Sequence, residues 1–289
     1  MFKEKISFRI KGKEADFIEG TDIRALGQSL VSFQKMIEKV YLYSEGRAKM
    51  TDSDYENLKI QLQNPRSGSW TSDICIDLKS LVLPLTPFIL QNSGDIMETI
   101  YNVYKFLIYK IKAKDEDKKL SIQITDNSGP VYVIHENDGS VIINTPPDIP
   151  QLSEELAPLI QKITKNIDGQ AISEVEIGNS KDIIHFDLTD AQRFKTHTFT
   201  SDVPIKVSGI IRDAKADTYS GVIKITKSQD PQVIKGEEYH FSSQNLFSEE
   251  KFKSVYLIEH QFLIKKRIAI GPKNNFDGTV KSLIIDGFE

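Results

Sequence analysis

The chain of 289 residues contains a single cysteine, Cys75. One thiol cannot form an intrachain disulfide, and it is too few for a cysteine-rich zinc site. A disulfide-stapled fold and a zinc-ribbon type of domain are therefore excluded, as is usual for proteins of a reducing compartment. Cys75 lies between Ile74 and Ile76 in a predicted strand, on the opposite face, where a lone cysteine is expected to be an inert small side chain.

The sequence also lacks an apolar run long enough to cross a bilayer, which takes about 20 residues. Its most apolar stretches are 81–90 and 100–111, and Pro84 and Pro87 interrupt the first while lysines punctuate the second. No apolar signal core follows the N-terminus. We therefore expect a cytoplasmic protein that does not enter a membrane.

Motifs of common catalytic sites are missing as well. There is no phosphate-binding glycine-rich loop, no Gly-x-Ser-x-Gly elbow and no helical pair of zinc-binding histidines. His185 and Asp187 share one face of a strand, and His135 lies beside Glu136 and Asp138 at a hairpin tip. In both places an exposed histidine beside a solvated acid is the favoured interpretation, so no catalytic residue, metal ion or cofactor is predicted. A metal-dependent nuclease or hydrolase using His185 and Asp187 is one alternative.

The periodicity of apolar residues predicts an α+β fold in three parts. Residues 1–114 read as an antiparallel sheet with covering helices, the first long helix being capped by Thr21 or Asp22. Residues 115–200 read as a β-meander plus one helix from about Ser153 to Asn166. Residues 201–289 form the third part.

The third part shows three strands, a helix and two more strands. Gly209 within the first strand predicts a bulge or bend. This element order is that of a small five-stranded Greek-key barrel of the OB type, a fold that often binds single-stranded nucleic acid or oligosaccharides. The prediction is therefore a C-terminal OB-like barrel.

The fourth barrel strand carries consecutive cations, Lys265, Lys266 and Arg267. Lys265 and Arg267 point to the side opposite the apolar face, with the aromatic Phe262 nearby. Cations beside aromatic residues suit single-stranded nucleic acid, so Lys265, Arg267 and Phe262 are the predicted ligand-binding residues. The formal net charge of the whole chain is −4, and the barrel region has only a slight positive excess, which is a weak electrostatic footprint. The other nearby aromatics, Tyr239 and Phe241, are expected in the barrel core.

A hairpin tip in the first part is the other candidate surface. Arg66 and Trp70 flank its turn, and an exposed Arg with a Trp makes a good anchor for a protein partner. The alternative is that Trp70 folds back onto the sheet while Arg66 is solvated.

Two short segments carry a resemblance. Ile23-Arg24-Ala25-Leu26-Gly27, entering the long helix, and Gly68-Ser69-Trp70, on the hairpin, resemble uncharacterised proteins of bacteria and their prophages. The resemblance covers about the first third of the chain. It implies a phage-linked role, in defence or counter-defence, and it brings no activity or site.

The leading hypothesis is a non-enzymatic cytoplasmic binding protein. Its N-terminal part would self-associate or dock a protein partner, and its barrel would bind a ligand or a macromolecule. The alternatives are a single-stranded nucleic-acid-binding protein, an assembly or inhibitor protein acting through protein surfaces alone, and the metal-dependent enzyme described above.

Overall fold

The computed structural model describes residues 2–12, 22–66, 70–78, 96–115, 120–124, 131–215, 217–243, 249–274 and 276–288. The chain splits into two compact units, Met1–Lys195 and Thr196–Glu289. The α-helices are α1 (Ile23–Ser44), α2 (Asp52–Asn57), α3 (Ile96–Asp115), α4 (Asp148–Thr164), α5 (Leu188–Arg193) and α6 (Glu249–Ser254). The strands of the first unit are β1 (Phe2–Lys11), β2 (Leu58–Arg66), β3 (Trp70–Leu78), β4 (Leu120–Ile124), β5 (Tyr132–His135), β6 (Val141–Thr145), β7 (Glu174–Gly178) and β8 (Ile183–Phe186). Those of the second are β9 (His197–Thr200), β10 (Ile205–Lys215), β11 (Ser220–Ser228), β12 (Glu238–Ser243), β13 (Glu259–Ile270) and β14 (Thr279–Phe288).

The predicted α+β class is confirmed. The first unit is built on an antiparallel sheet of order β2-β3-β1-β7-β8, in which β1 is central. Strands β7 and β8, which the sequence placed in a middle part, thus join the sheet of the N-terminal part. The predicted three-part division stays a prediction, and within the structure its first two parts share this sheet.

Strand β1 divides the sheet into an apolar and a charged face, because its residues alternate. Phe8 points inward and its ring centroid lies 5.9 Å from that of Phe33 on α1. At the far edge, Tyr104 of α3 packs edge-on against Phe186 of β8. The opposite face is charged, with ion pairs such as that of Lys5 with a neighbouring aspartate.

Two helix starts are fixed by acidic side chains. Asp22 accepts hydrogen bonds from the first turn of α1, as the sequence predicts. The buried carboxylate of Glu4 points inward from β1 and accepts the N–H groups of Ile96 and Met97, at 3.0 and 3.2 Å. A carboxylate there satisfies unpaired donors and meets the positive end of α3.

The small second sheet of the first unit differs from the predicted meander. Its order is β4-β6-β5, with β4 parallel to β6. Strand β6 is almost wholly buried, whereas most of β4 and β5 is exposed, so the apolar strand takes the centre and the other two form edges. The predicted hairpin at 137–139 is present between β5 and β6.

Several element bounds also differ from the sequence prediction. Helix α4 begins at Asp148 rather than near Ser153. Pro150 lies in its first turn, where backbone N–H groups have no partner within the helix, so the missing N–H of proline costs no hydrogen bond. Short elements α2, α5 and β9 were not predicted, since four to six residues carry too little periodicity to be recognised.

The second unit is a closed barrel. Strands follow the order β10-β11-β12-β14-β13, and β13 pairs with β10 to complete the circle. The last strand, β14, lies beside β12 in parallel, and the other pairs are antiparallel. With α6 placed between β12 and β13, this is the predicted OB-type barrel. Strand β9 extends the sheet along the end of β13.

Two glycines allow close approach within the barrel. The register of β10 against β11 shifts at Gly209, as the sequence predicts, and a Cβ there would lie 2.9 Å from the side chain of Ile223. A Cβ on Gly221 would lie 1.9 Å from the carbonyl oxygen of Asp213. Barrel closure therefore brings backbone and core side chains too near for any larger residue at these positions.

Among the helices of the described residues, none has the length and apolar character needed to span a bilayer.

Candidate functional site

A pocket opens on the barrel where β10, β13 and β14 meet, and we call it the seam pocket. Its volume is about 220 Å³. Its lining residues are Lys206, Gln261, Phe262, Leu263, Gly287 and Phe288. The register of β13 against β14 shifts between Leu263 and Ile264, next to the pocket. Such a bulge bends a strand and changes where its side chains point, which is how a closed barrel can carry a concave site.

Aromatic rings form the inner wall of the seam pocket. Phe262 and Phe288 are register partners whose ring centroids lie 6.2 Å apart, and His260 lies within 6.5 Å of both. Phe262 is 1% exposed and belongs to the barrel core, while Phe288 is half-buried. Phe288 therefore presents more ring surface to a ligand than Phe262 does.

The rest of the seam pocket is lined by two polar side chains and by a glycine that leaves the backbone uncovered. Gln261 is exposed, and Lys206 brings a positive charge. A Cβ on Gly287 would meet no atom within 4 Å, so space lies open above its backbone. These three residues were not predicted from the sequence, although a glycine inside a strand beside an aromatic residue is a sign of close approach.

The predicted cationic strand is largely neutralised. Lys265 Nζ lies 3.2 Å from Asp286 Oδ2, and Lys266 Nζ lies 2.7 Å from Asp230 Oδ2. Although burial opposes it, the ion pair with Lys266 holds the pKa of Asp230 below its usual value. Only slight positive charge is therefore left along this stretch of β13.

Arg267 differs from the two lysines beside it. It is exposed and forms no ion pair with any residue that the structure describes. Phe262 points into the core, so the three predicted binding residues do not stand together on one surface. Their role in binding stays a prediction.

The other aromatic residues of the barrel lie where the sequence placed them. Phe241 is buried in the core, and Tyr239 packs against it. The Tyr239 hydroxyl accepts the N–H of Ile234 at 3.0 Å. The Phe241 ring is therefore unavailable as an outer stacking platform, whereas Tyr239 is half-buried.

At the first unit's hairpin, Trp70 folds back onto the sheet. It is half-buried and its ring packs edge-on against Phe8, with centroids 5.9 Å apart. The backbone of Arg66 pairs with Thr71, and the side chain of Arg66 lies outside the described part. A protein-contact role for Arg66 and Trp70 stays a prediction.

A charged cluster surrounds His185 on the open face of the first sheet. His185 Nδ1 lies 3.1 Å from Glu174 Oε1 and 3.5 Å from Glu176 Oε2. These three groups are close enough to ligate one metal ion. However, Lys11 Nζ already lies 2.9 and 3.0 Å from the two carboxylates, where a cation would sit.

The ion pairs of this cluster shift two pKa values. The hydrogen bond from Lys11 lowers the pKa of Glu174, against the effect of burial, and the Glu174 carboxylate raises the pKa of Lys11. Asp187, the predicted partner of His185, is engaged elsewhere, because its Oδ1 accepts the N–H of Asp190 as the cap of α5. The structure therefore does not pair His185 with Asp187.

A larger pocket of about 440 Å³ lies between the end of α1 and helix α4. Its charged walls pair with one another or with neighbours. Lys39 Nζ lies 2.7 Å from Glu155 Oε2, and the Tyr43 hydroxyl donates to Asp148 Oδ1 at 3.0 Å. Burial and the Asp148 carboxylate raise the pKa of Tyr43, which keeps the hydroxyl a donor. A ligand there would have to break these pairs, which makes this pocket the weaker candidate.

Comparisons of this chain with protein-family models, with curated proteins and with solved structures give no match. The resemblance to prophage proteins consequently stays a prediction. The OB-type description of the second unit rests on its own strand order and pairing.

Proposed function

We propose that this chain is a non-enzymatic binding protein that holds its ligand on the C-terminal barrel. The observation that carries the proposal is the closed strand order β10-β11-β12-β14-β13, which is that of OB-type barrels. Such barrels serve as binding modules for varied ligands. Because fold alone does not establish function, the seam pocket adds the second support: it is concave, largely apolar, and carries a few polar groups.

The charged cluster at His185 gives little support to the metal-dependent hydrolase alternative. A metal ion at Glu174 and Glu176 would have to displace the Lys11 ammonium, which both carboxylates hold at about 3 Å. That exchange removes two charge-assisted hydrogen bonds for each metal bound. The binding proposal requires no such rearrangement.

Amide chemical shifts of the full-length ¹⁵N-labelled protein would test the proposal. We expect members of a panel of small aromatic and sugar fragments to shift resonances of residues 205–215, 259–270 and 279–288. Matched titrations with acetate and with urea serve as controls for non-specific effects. Shifts confined to the first unit, or no shift with any fragment, would overturn the proposal.

Binding of single-stranded nucleic acid is the second candidate function. Arg267 favours it, being exposed and without an ion pair among the described residues. We expect the double variant Lys265→Glu with Arg267→Glu to abolish salt-sensitive binding of a single-stranded oligonucleotide. If the wild-type protein shows no binding that weakens with salt, this candidate fails.

The proposal also includes binding to a protein partner or to a second copy of the chain. It further includes a phage-linked role. Three consecutive apolar residues, Tyr256, Leu257 and Ile258, are exposed on the barrel, and the N–H of Leu257 is fixed to the carbonyl of Ile211. Exposed apolar side chains next to one another suit a protein contact. Multi-angle light scattering should give a mass above that of the 32.8 kDa monomer, and a monomer mass at all concentrations would exclude the homo-oligomer.

A further inference from the structure

We propose that the seam pocket is a site for one nucleobase, held between the ring of Phe288 and the side-chain amide of Gln261. The inference rests on the proposed binding role of the barrel and specifies its ligand. It identifies the ligand by its chemistry, a flat heteroaromatic ring with hydrogen-bonding edges, whether the base belongs to a free nucleotide or to an unpaired strand.

The size of the pocket limits the ligand to a single ring system. Its volume of about 220 Å³ is below the range of about 300–1,000 Å³ that is usual for drug-sized ligands. An extended chain or an oligosaccharide of several rings would not be enclosed. One base would fill the space while its sugar and phosphate stay outside.

The walls favour a flat aromatic ligand. Phe262, Leu263 and Phe288 give an apolar lining, and Phe288 is half-buried, so that part of its ring stays accessible. Stacking of a base against an aromatic ring contributes about 1–3 kcal/mol to binding, whichever base it is. Sugars and aliphatic ligands lack the π-face that this contact requires.

The polar groups favour a base over a plain hydrocarbon ring. The Gln261 amide offers a donor and an acceptor in one plane, and it makes no hydrogen bond within the described part of the chain. This pattern complements the donor–acceptor edge of a base such as adenine. Because Gly287 has no side chain, a ligand can also approach the backbone of β14.

The charges near the pocket suit one phosphate rather than a tract of them. Lys206 lies in the lining, and Lys265 and Lys266 form ion pairs with aspartates. Binding to a run of phosphates would require a row of unpaired cations, which gives a steep salt dependence. We expect instead a slope of log K against log salt of about −0.7, the value for one phosphate on a single strand.

The test uses the full-length ¹⁵N-labelled protein with four probes: adenosine, adenosine monophosphate, ribose 5-phosphate and an eight-residue oligo(dA). We expect adenosine and adenosine monophosphate to shift the amide signals of Gln261, Leu263 and Gly287, and ribose 5-phosphate to leave them unchanged. Binding by the oligonucleotide but not by the free nucleoside, at these same residues, would also support the site and identify its source as a strand.

Two variants make the test specific. The Cβ that Gly287→Leu introduces meets no atom within 4 Å, and the rest of the side chain would occupy the pocket. Affinity should therefore fall by at least about tenfold, and a melting temperature close to that of the wild type checks that the variant is folded. Gln261→Glu keeps the shape but removes the amide donor, and it should weaken the binding of adenosine, which carries no phosphate for the new carboxylate to repel. Glu238→Gln on β12, exposed and outside the pocket lining, is the matched control.

The outcomes separate this inference from the proposed function. If adenosine monophosphate binds the barrel equally well in Gly287→Leu, or if only non-aromatic fragments shift the seam residues, the nucleobase site is overturned and the binding role stands. If no probe and no fragment shifts any barrel resonance, both are overturned.

Discussion

Gly221 is a residue at which the barrel tolerates no side chain. One of its Cα hydrogens faces the carbonyl oxygen of Asp213, and a Cβ in that place would lie 1.9 Å from the oxygen. The obstacle is backbone, which cannot rotate away as a side chain could. We predict that Gly221→Ala destabilises the barrel by about 2–3 kcal/mol, the upper range for overpacking. Urea unfolding followed by far-UV circular dichroism measures the change.

The matched control is the same substitution at Gly287. An added Cβ there meets nothing within 4 Å, so Gly287→Ala should leave stability unchanged or raise it slightly through the less flexible unfolded chain. Equal destabilisation by the two substitutions would show that loss of glycine itself, and not the contact with Asp213, is the cause.

Lys11 and Glu174 predict a pH window for one contribution to stability. The pKa of Glu174 is lowered by Lys11, so its contribution is present above the usual value of 4.5 and is lost as pH falls through the lowered one. The pKa of Lys11 is raised, so its contribution is present below 10.5 and is lost as pH rises through the raised value. The pair therefore stabilises the fold between these limits.

The measurement compares wild type with Lys11→Met by thermal unfolding between about pH 3 and 11. We expect the melting temperature of the wild type to exceed that of the variant near neutral pH, by an amount equivalent to up to about 1 kcal/mol for a partly exposed pair. The difference in melting temperature should shrink at both ends of this pH range. The difference between wild type and Glu174→Gln should shrink in the same way. A difference that is constant with pH would contradict the assignment to this pair.

At the level of elements, the start of α3 depends on a strand far away in sequence. Glu4 on β1 accepts the N–H groups of Ile96 and Met97 from a buried position. We predict that Glu4→Ala lowers the stability of the first unit by about 1–2 kcal/mol, as expected for the loss of a cap. Amide hydrogen exchange at the first turn of α3 should be faster in Glu4→Ala than in the wild type, with a smaller change at the centre of the helix.

Lys3→Ala is the control on the same strand. Lys3 is exposed, and its Nζ lies 3.9 Å from Asp77 Oδ2, so the substitution should cost less than about 0.5 kcal/mol. Slower exchange at the start of α3 in Glu4→Ala than in wild type would contradict the capping role.

The elements themselves were predictable to different degrees. Those of the barrel were recognisable because three strands, a helix and two strands in that order leave few other arrangements, and Gly209 indicated the bulge. The order β4-β6-β5 was not, since alternation within a strand does not reveal its neighbour. The buried strand β6 lies at the centre of that sheet, and the burial of a strand becomes known only when the elements that pack against it are known.

The candidate site was predictable only in part, for the same reason. Sequence reasoning identified β13 as the strand of interest and included Phe262, which does line the pocket. It missed Lys206 and Phe288, which lie on strands β10 and β14 and reach the site only through barrel closure. It also read Lys265 as available, whereas its partner Asp286 comes from the neighbouring strand.

At the level of the whole molecule, each unit buries a core of its own. Phe8 and Phe33 belong to the first, and Ile223 and Phe262 to the second. The single tryptophan, Trp70, lies in the first unit, so its fluorescence reports on that unit alone. Circular dichroism reports on both units, so we predict that Gly221→Ala adds an earlier transition to its urea unfolding curve and leaves the tryptophan midpoint unchanged. Equal shifts of both signals would show that the chain unfolds as one cooperative block.

The central position of β1 has a consequence for synthesis of the chain on the ribosome. One neighbour, β3, follows soon, but the other, β7, is paired through residues such as Glu174, 163 positions after Lys11. At about 5–20 residues per second, synthesis of Glu174 follows that of Lys11 by roughly 8–33 s. During that interval the backbone of Ser7–Lys11 presents an open edge in the nascent chain, and this edge is where we expect a chaperone to bind until β7 arrives.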